Sequence, residues 1–247
     1  MYDPSDPRSR MTASAPASKP AAAQAFAGAD YGLFYEIGPQ IVANGARTWL
    51  TRGQNFLVGQ SEVEPGGSLS RPNQPDEYVL LLPDRDTPAV VEVNGERVEV
   101  DGYSLVIVPP GKSRITLPQG GRATRIFSTR SEDLNSTCSN ADSYAAPHPN
   151  VALLEPWPDP VGGFRIRAYS LDVPPTPGRF GRIFRCTTLM VNYLDAQHGP
   201  RDITKLSPHH HDDFEQCSLA LDGAFTHHLR WPWTTNLNVW RDDEHAL

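Results

Sequence analysis

Between residues 55 and 128, apolar and polar positions alternate in short runs separated by Pro and Gly. That is the two-residue period of half-buried strands, not the 3.6-residue period of helices. The clearest run is Ala89-Val90-Val91-Glu92-Val93-Asn94-Gly95-Glu96-Arg97-Val98-Glu99-Val100. Two alternating halves flank Asn-Gly, a pair that accepts the positive φ angles of a type I′ turn, so a hairpin is predicted here. Further strands are predicted over 55–63, 77–82, 103–108, 113–117 and 123–128. With 24 Pro and 19 Gly punctuating the chain against long helices, the fold class is all-β, and the regular spacing predicts a sandwich or closed barrel.

The same pattern divides the chain. Residues 1–30 are rich in Ala, Ser and Pro, carry too little apolar surface to offset ordering entropy, and are expected to form a disordered tail, with Met11 as an alternative start. Residues 31–130 form a first β domain, and the polar, aperiodic stretch 131–150 reads as a linker. A second β-rich block, 151–247, carries strand runs at 164–173, 182–194, 215–221 and 224–231.

Composition narrows the function. At 247 residues and 38% hydrophobic content, no run approaches the roughly 18 apolar residues of a spanning helix. The N-terminus lacks the apolar core of a secretory signal. A cytoplasmic protein without a membrane partner is expected. Cys138, Cys186 and Cys217 are odd in number and far apart, which argues against a disulfide framework. A net charge of −7 disfavours nucleic acid, which requires clustered Lys and Arg.

Candidate chemistry concentrates in Pro208-His209-His210-His211-Asp212-Asp213-Phe214-Glu215. On an extended chain His209 and His211 share a face, and Glu215, an even number of residues further on, returns to it. Two imidazoles and a carboxylate suit a divalent metal ion such as iron, manganese, nickel or zinc and leave positions open for water or substrate. The continuation Gln216-Cys217-Ser218-Leu219-Ala220-Leu221-Asp222-Gly223 reads as a strand ending in an Asp-Gly turn, with the ligands at its mouth. The competing reading is a solvated, charged loop.

These residues resemble the cupin superfamily (RmlC-like), and in particular bicupins, which carry two jelly-roll barrels in tandem. The family's first motif is Gly, His-x-His, three or four residues, Glu, six residues, Gly. His209, His211, Glu215 and Gly223 follow it, with seven residues before Gly223 and Ile203 in place of the leading Gly. In the first block, Gly102 and Pro109-Pro110-Gly111 resemble the second motif with one extra residue, but Arg114 holds the histidine position and Pro118 that of the Asn. Pro65-Gly66-Gly67 and Glu77 resemble the start of the first motif, with Arg71 and Asn73 where histidines belong. Arginine stays protonated and does not ligate metal. The resemblance therefore implies an N-terminal barrel without metal ligands, in which an inward arginine is a group for a carboxylate or phosphate. No Pro-x-Gly-x-x-His follows Gly223, so the second barrel is expected to be incomplete and the chain a fragment lacking the last metal ligand. Completion by a partner chain, or by residues 31–51 folding back, are the alternatives.

His227 and His228 follow on the next predicted strand, where one must face inward; either is a candidate acid or base beside a metal-bound water. Trp231 and Trp233 offer stacking faces or rim packing. Gln216 is expected to point away from the metal, and His148, His198 and His245 carry no assigned role. Asp202, Asp212, Asp213, Asp242 and Asp243 lack EF-hand spacing and read as solvated charge. Two functions stay open. One is a metal-dependent enzyme of dioxygenase or isomerase type acting on a small organic molecule. The other is a non-catalytic module for ligand binding or oligomerisation, with a homodimer as one form.

Overall fold

A computed structural model describes residues 29–149, 151–177, 181–199, 211, 213–230 and 242–246. The tail expected over 1–30 falls almost wholly outside them. By internal packing the chain divides into Gly32–Glu215 and a second unit made of Met1–Tyr31 with Gln216–Leu247.

The first unit is built of β1 (Ile41–Ala43), β2 (Ala46–Arg52), β3 (Phe56–Val63), β4 (Ser68–Gln74), β5 (Tyr78–Leu82), β6 (Ala89–Val93), β7 (Glu96–Val100), β8 (Ser104–Val108), β9 (Gly111–Thr116), β10 (Gly121–Ser128), β11 (Arg167–Ser170), β12 (Arg182–Arg185) and β13 (Met190–Tyr193). One sheet runs β1-β2-β3-β10-β5-β8-β11, a second β4-β9-β6-β7, and β12 pairs with β13 in a two-stranded sheet of their own. The pairing is nested: β6 with β7, β5 with β8, β4 with β9 and β3 with β10, all antiparallel. A long hairpin rolled on itself, successive pairs falling in alternate sheets, is a jelly roll.

The innermost pair is the predicted hairpin, with Asn94 at φ 50° and Gly95 at φ 93°. Asn94 locks it further: its Nδ2 donates to the Pro110 carbonyl at 2.9 Å and its Oδ1 accepts the Lys112 N–H at 3.1 Å. The apolar residues of alternate positions meet inside: Leu57 and Val63 of β3, Tyr78, Leu80 and Leu82 of β5, Val91 and Val93 of β6, Ile115 of β9, and Ala123 and Phe127 of β10.

Strand β5 is buried on both faces, so something must cover its outer side. Glu77, Val79 and Leu81 share that side. The buried Glu77 carboxylate accepts Arg167 Nη2 at 2.7 Å and the Thr187 N–H at 3.0 Å. Arg167 and Thr187, within the block expected to open a second barrel, thus fasten to the first sheet, where β11 pairs with β8. Residues 131–150, expected as a linker, hold a short helix α1 (Glu132–Asn135) and contribute Leu134 and Cys138 to the core.

Three strand expectations change. Residues 182–194 form two strands, because the chain turns between them with the Cys186 N–H bonded to the Leu189 carbonyl at 3.0 Å. Residues 215–221 form no strand. Residues 46–52 pair with β3, so they are not spare to complete another barrel. In the second unit, β14 (Thr226–Arg230) pairs antiparallel with β15 (Asp242–Ala246), setting His227 opposite His245 and His228 opposite Glu244 in register.

Candidate functional site

The inward positions at one end of the barrel are polar. Tyr78 (β5), Arg71 (β4), Ser113 (β9) and Arg125 (β10) are all buried. Strand alternation puts them there: Arg125 lies between the core residues Ala123 and Phe127 on one face of β10, and Ser113 is two residues before Ile115 on β9. Arg114, the residue at the resembled ligand position, is exposed. On β9 the alternation buries Ser113 and Ile115 and leaves Arg114 outside, so the inward group is the Ser113 hydroxyl and the expected Arg114 carboxylate site is not inside the barrel.

The two arginines differ in how they are satisfied. Arg71 donates Nη1 and Nη2 to the Asp133 carboxylate at 2.6 and 2.8 Å and Nε to Gln74 Oε1 at 2.8 Å. Gln74 passes the network on, donating to Asp76 Oδ1 at 3.0 Å and Ser131 Oγ at 2.8 Å, while the Ser128 hydroxyl donates to Asp76 Oδ2 at 2.5 Å. Arg125, only 6% exposed, has no acceptor for Nε or Nη1 among the described residues. Both guanidinium carbons lie over the Phe127 ring, at 5.6 Å for Arg71 and 5.4 Å for Arg125. Tyr78 stacks on the same ring, 4.9 Å between centroids. Its hydroxyl shares a 2.9 Å hydrogen bond with Ser113 Oγ.

Burial drives the charges of this cluster. It pushes the Tyr78 phenol up, against the opposing pull of the nearby Arg125 charge, so the phenol stays neutral. It pushes the Arg125 guanidinium down to about 10, with the Arg71 charge adding to the effect. At neutral pH Arg125 is still a cation.

A metal ion does not fit these residues. Guanidinium groups have no lone pair to offer, and the hydroxyls of Tyr78 and Ser113 already engage each other. The sequence-predicted metal ligands lie elsewhere. His209 falls outside the described residues, as do Trp231 and Trp233. His211 is half-buried, its ring stacked on Phe214 at 4.1 Å. Glu215 is also half-buried, and its two carboxylate oxygens accept the backbone N–H groups of Gln54 and Asn55, each at 2.8 Å. The carboxylate thereby closes the turn between β2 and β3. Among the described residues, no three His, Cys, Asp or Glu side chains gather at metal-binding separation.

An open cleft of about 440 Å³ on the outside of the barrel is lined by Arg85, Asp101, Tyr169 and Asp172, among others. Its cation is already matched: Arg85 donates to both oxygens of Asp172 at 2.6 Å.

No protein-family model matches the chain, and no curated protein matches it either. Solved structures do. The chain is similar to an RmlC-like cupin from Shewanella frigidimarina NCIMB 400, with 16% identity over 43% of this chain and 96% of that one and a TM-score of 0.36. It is similar to KdgF from Halomonas sp., with 13% identity over 43% and 99% and a TM-score of 0.37. A third is salicylate 1,2-dioxygenase from Pseudaminobacter salicylatoxidans, with 14% identity over 40% of this chain and 30% of that one and a TM-score of 0.34. The fold is a jelly roll. That statement rests on the nested strand pairing of β3 to β10, and the fold by itself assigns no chemistry.

Proposed function

We propose that this chain is a ligand-binding cupin module whose N-terminal barrel receives a small organic molecule without a metal ion. The observation that carries the reading is the inward cluster Arg71, Tyr78, Ser113 and Arg125: hydrogen-bond donors where a metal centre needs lone-pair donors, set against the apolar floor of Phe127. A small-molecule site is a mainly apolar concavity with a few convergent polar groups, and this end of the barrel has that composition. The test is equilibrium dialysis against a mixed panel of small organic acids, amides and sugars before and after exhaustive EDTA treatment. Retention of at least one compound, undiminished by EDTA, is the expected result; retention of none overturns the reading.

A metal-dependent activity of dioxygenase or isomerase type is the second proposal, with His209, His211 and Glu215 as the ligands and His227 or His228 as acid or base. What supports it is the donor chemistry of the three ligands and the placement of His211 and Glu215 in one compact unit, both half-buried. A bound divalent ion would supply Lewis acidity there. In that state Glu215 would use lone pairs beyond those that take the Gln54 and Asn55 amides.

A further inference from the structure

We infer that the molecule taken into the barrel is a small carboxylate, held by its charge against the guanidinium of Arg125. The inference rests on the ligand-binding reading and names its substrate class. A guanidinium carries N–H donors only, and Arg125 leaves Nε and Nη1 without an acceptor among the described residues at 6% exposure. A buried charge with unmet donors is among the costliest features a fold can hold, unless a counter-charge meets it.

Among the described residues, none supplies such a counter-charge. The Asp133 carboxylate is committed to both terminal nitrogens of Arg71. Asp76 takes Gln74 and Ser128. Glu77 lies on the other side of β5, bonded to Arg167 and Thr187. Neutral Tyr78 adds a donor, not an anion: when Ser113 Oγ donates to it across their 2.9 Å contact, the phenol O–H is released for a ligand. The Phe127 ring, fully buried and stacked on Tyr78, lies under the guanidinium. A single negative charge on a compact, partly apolar body answers this set: one cation, one hydroxyl donor, and stacked rings.

The contrast with Arg71 sharpens the assignment. Two arginines lie over one aromatic ring, and only one has been given a carboxylate by the chain. Had both been structural, the economical arrangement would pair both.

The test uses the full chain, with sodium benzoate, sodium acetate, benzamide and sodium chloride as probes, read by calorimetric titration and by thermal unfolding. Benzoate is expected to bind and benzamide, its neutral counterpart in shape, to bind at least tenfold more weakly. Benzoate at about a hundred times its Kd raises the folded-to-unfolded ratio about a hundredfold. Arg125→Gln and Arg125→Met are expected to abolish the benzoate response, while Arg114→Gln, changed at an exposed position one residue from Ser113, keeps it. Equal binding of benzoate and benzamide overturns the carboxylate assignment and leaves the ligand-binding reading standing; that comparison needs no variant to fold. A benzoate response that survives in folded Arg125→Gln overturns it as well, as does chloride reproducing the whole effect at equal concentration. Failure of every panel compound and of benzoate alike overturns both readings.

Discussion

Glu77→Ala removes the anchor by which Arg167 and Thr187 hold the outer face of β5. The carboxylate is fully buried; its partner Arg167 keeps 22% side-chain exposure. Removing one member of a buried pair costs about 3–5 kcal/mol, because the survivor is left uncompensated. Arg167 can turn part of its head to water, which places the loss at the lower end. The Thr187 N–H, which also loses its acceptor, adds about 1 kcal/mol. The sum is about 4 kcal/mol, a fall of nearly three decades in the folded-to-unfolded ratio at about 1.4 kcal/mol per decade. Urea unfolding followed by the fluorescence of the five tryptophans reads it directly. Glu77→Gln keeps the shape and one acceptor, and is expected to lose about half as much. In a double-mutant cycle with Arg167→Met, the coupling should reach about 2 kcal/mol. A loss below about 1 kcal/mol for Glu77→Ala, or strict additivity of the two changes, would show that the outer face of β5 is not held through this pair.

The Asp133 carboxyl is held below its ordinary value near 3.8 by hydrogen bonding to Arg71. A depressed folded-state pKa contributes stability above the unfolded value that is lost as pH falls through the folded one. Stability curves of wild type and Asp133→Asn should therefore differ at pH 7 and converge as acid protonates the pair below about pH 4; curves that stay parallel down to pH 2 contradict this. Gly95 sits at φ 93° in the β6–β7 turn, so Gly95→Ala should destabilise by about 1–2 kcal/mol in chemical denaturation, and no measurable loss would mean that the turn is not as described. Burial pushes the Cys138 thiol up to about 11 and raises that of Cys186 too, whereas Cys217 is exposed. A native titration with a thiol reagent at pH 8 should find one fast thiol of the three, removed by Cys217→Ser; two or three fast thiols would refute it.

How far the sequence could be read depended on whether burial followed simple alternation. The β6–β7 hairpin was legible because both strands alternate around an Asn-Gly pair whose conformational demand is local. Strand β2 was not, since Thr48, Trp49 and Leu50 are all buried, a run without a two-residue period. Strand β4 was hidden by Arg71, Pro72 and Asn73, polar or strand-breaking types on a strand whose inward residue is an arginine matched by Asp133, 62 positions away. Residues 215–221 did alternate, yet the Glu215 carboxylate is drawn onto the Gln54 and Asn55 amides and no strand among the described residues pairs with the segment. That bond spans 160 residues, beyond any local pattern. The site followed the same rule. Arg71 drew notice only through the family motif, and Arg114 had the right residue type with the wrong parity. Arg125 was missed, although a signal existed: it is the middle member of the inward triplet Ala123, Arg125, Phe127, and a charge at such a position demands a partner or a ligand.

The central claim is that the barrel interior binds its ligand through arginine and hydroxyl donors without a metal ion. Elemental analysis of the purified full chain, run in parallel with benzoate titration before and after EDTA dialysis, tests it most directly. Substoichiometric metal, unchanged in the His209→Ala plus His211→Ala variant, with benzoate binding intact after EDTA, is the expected result. One equivalent of metal that this double variant loses, together with ligand binding that disappears on chelation, would contradict it.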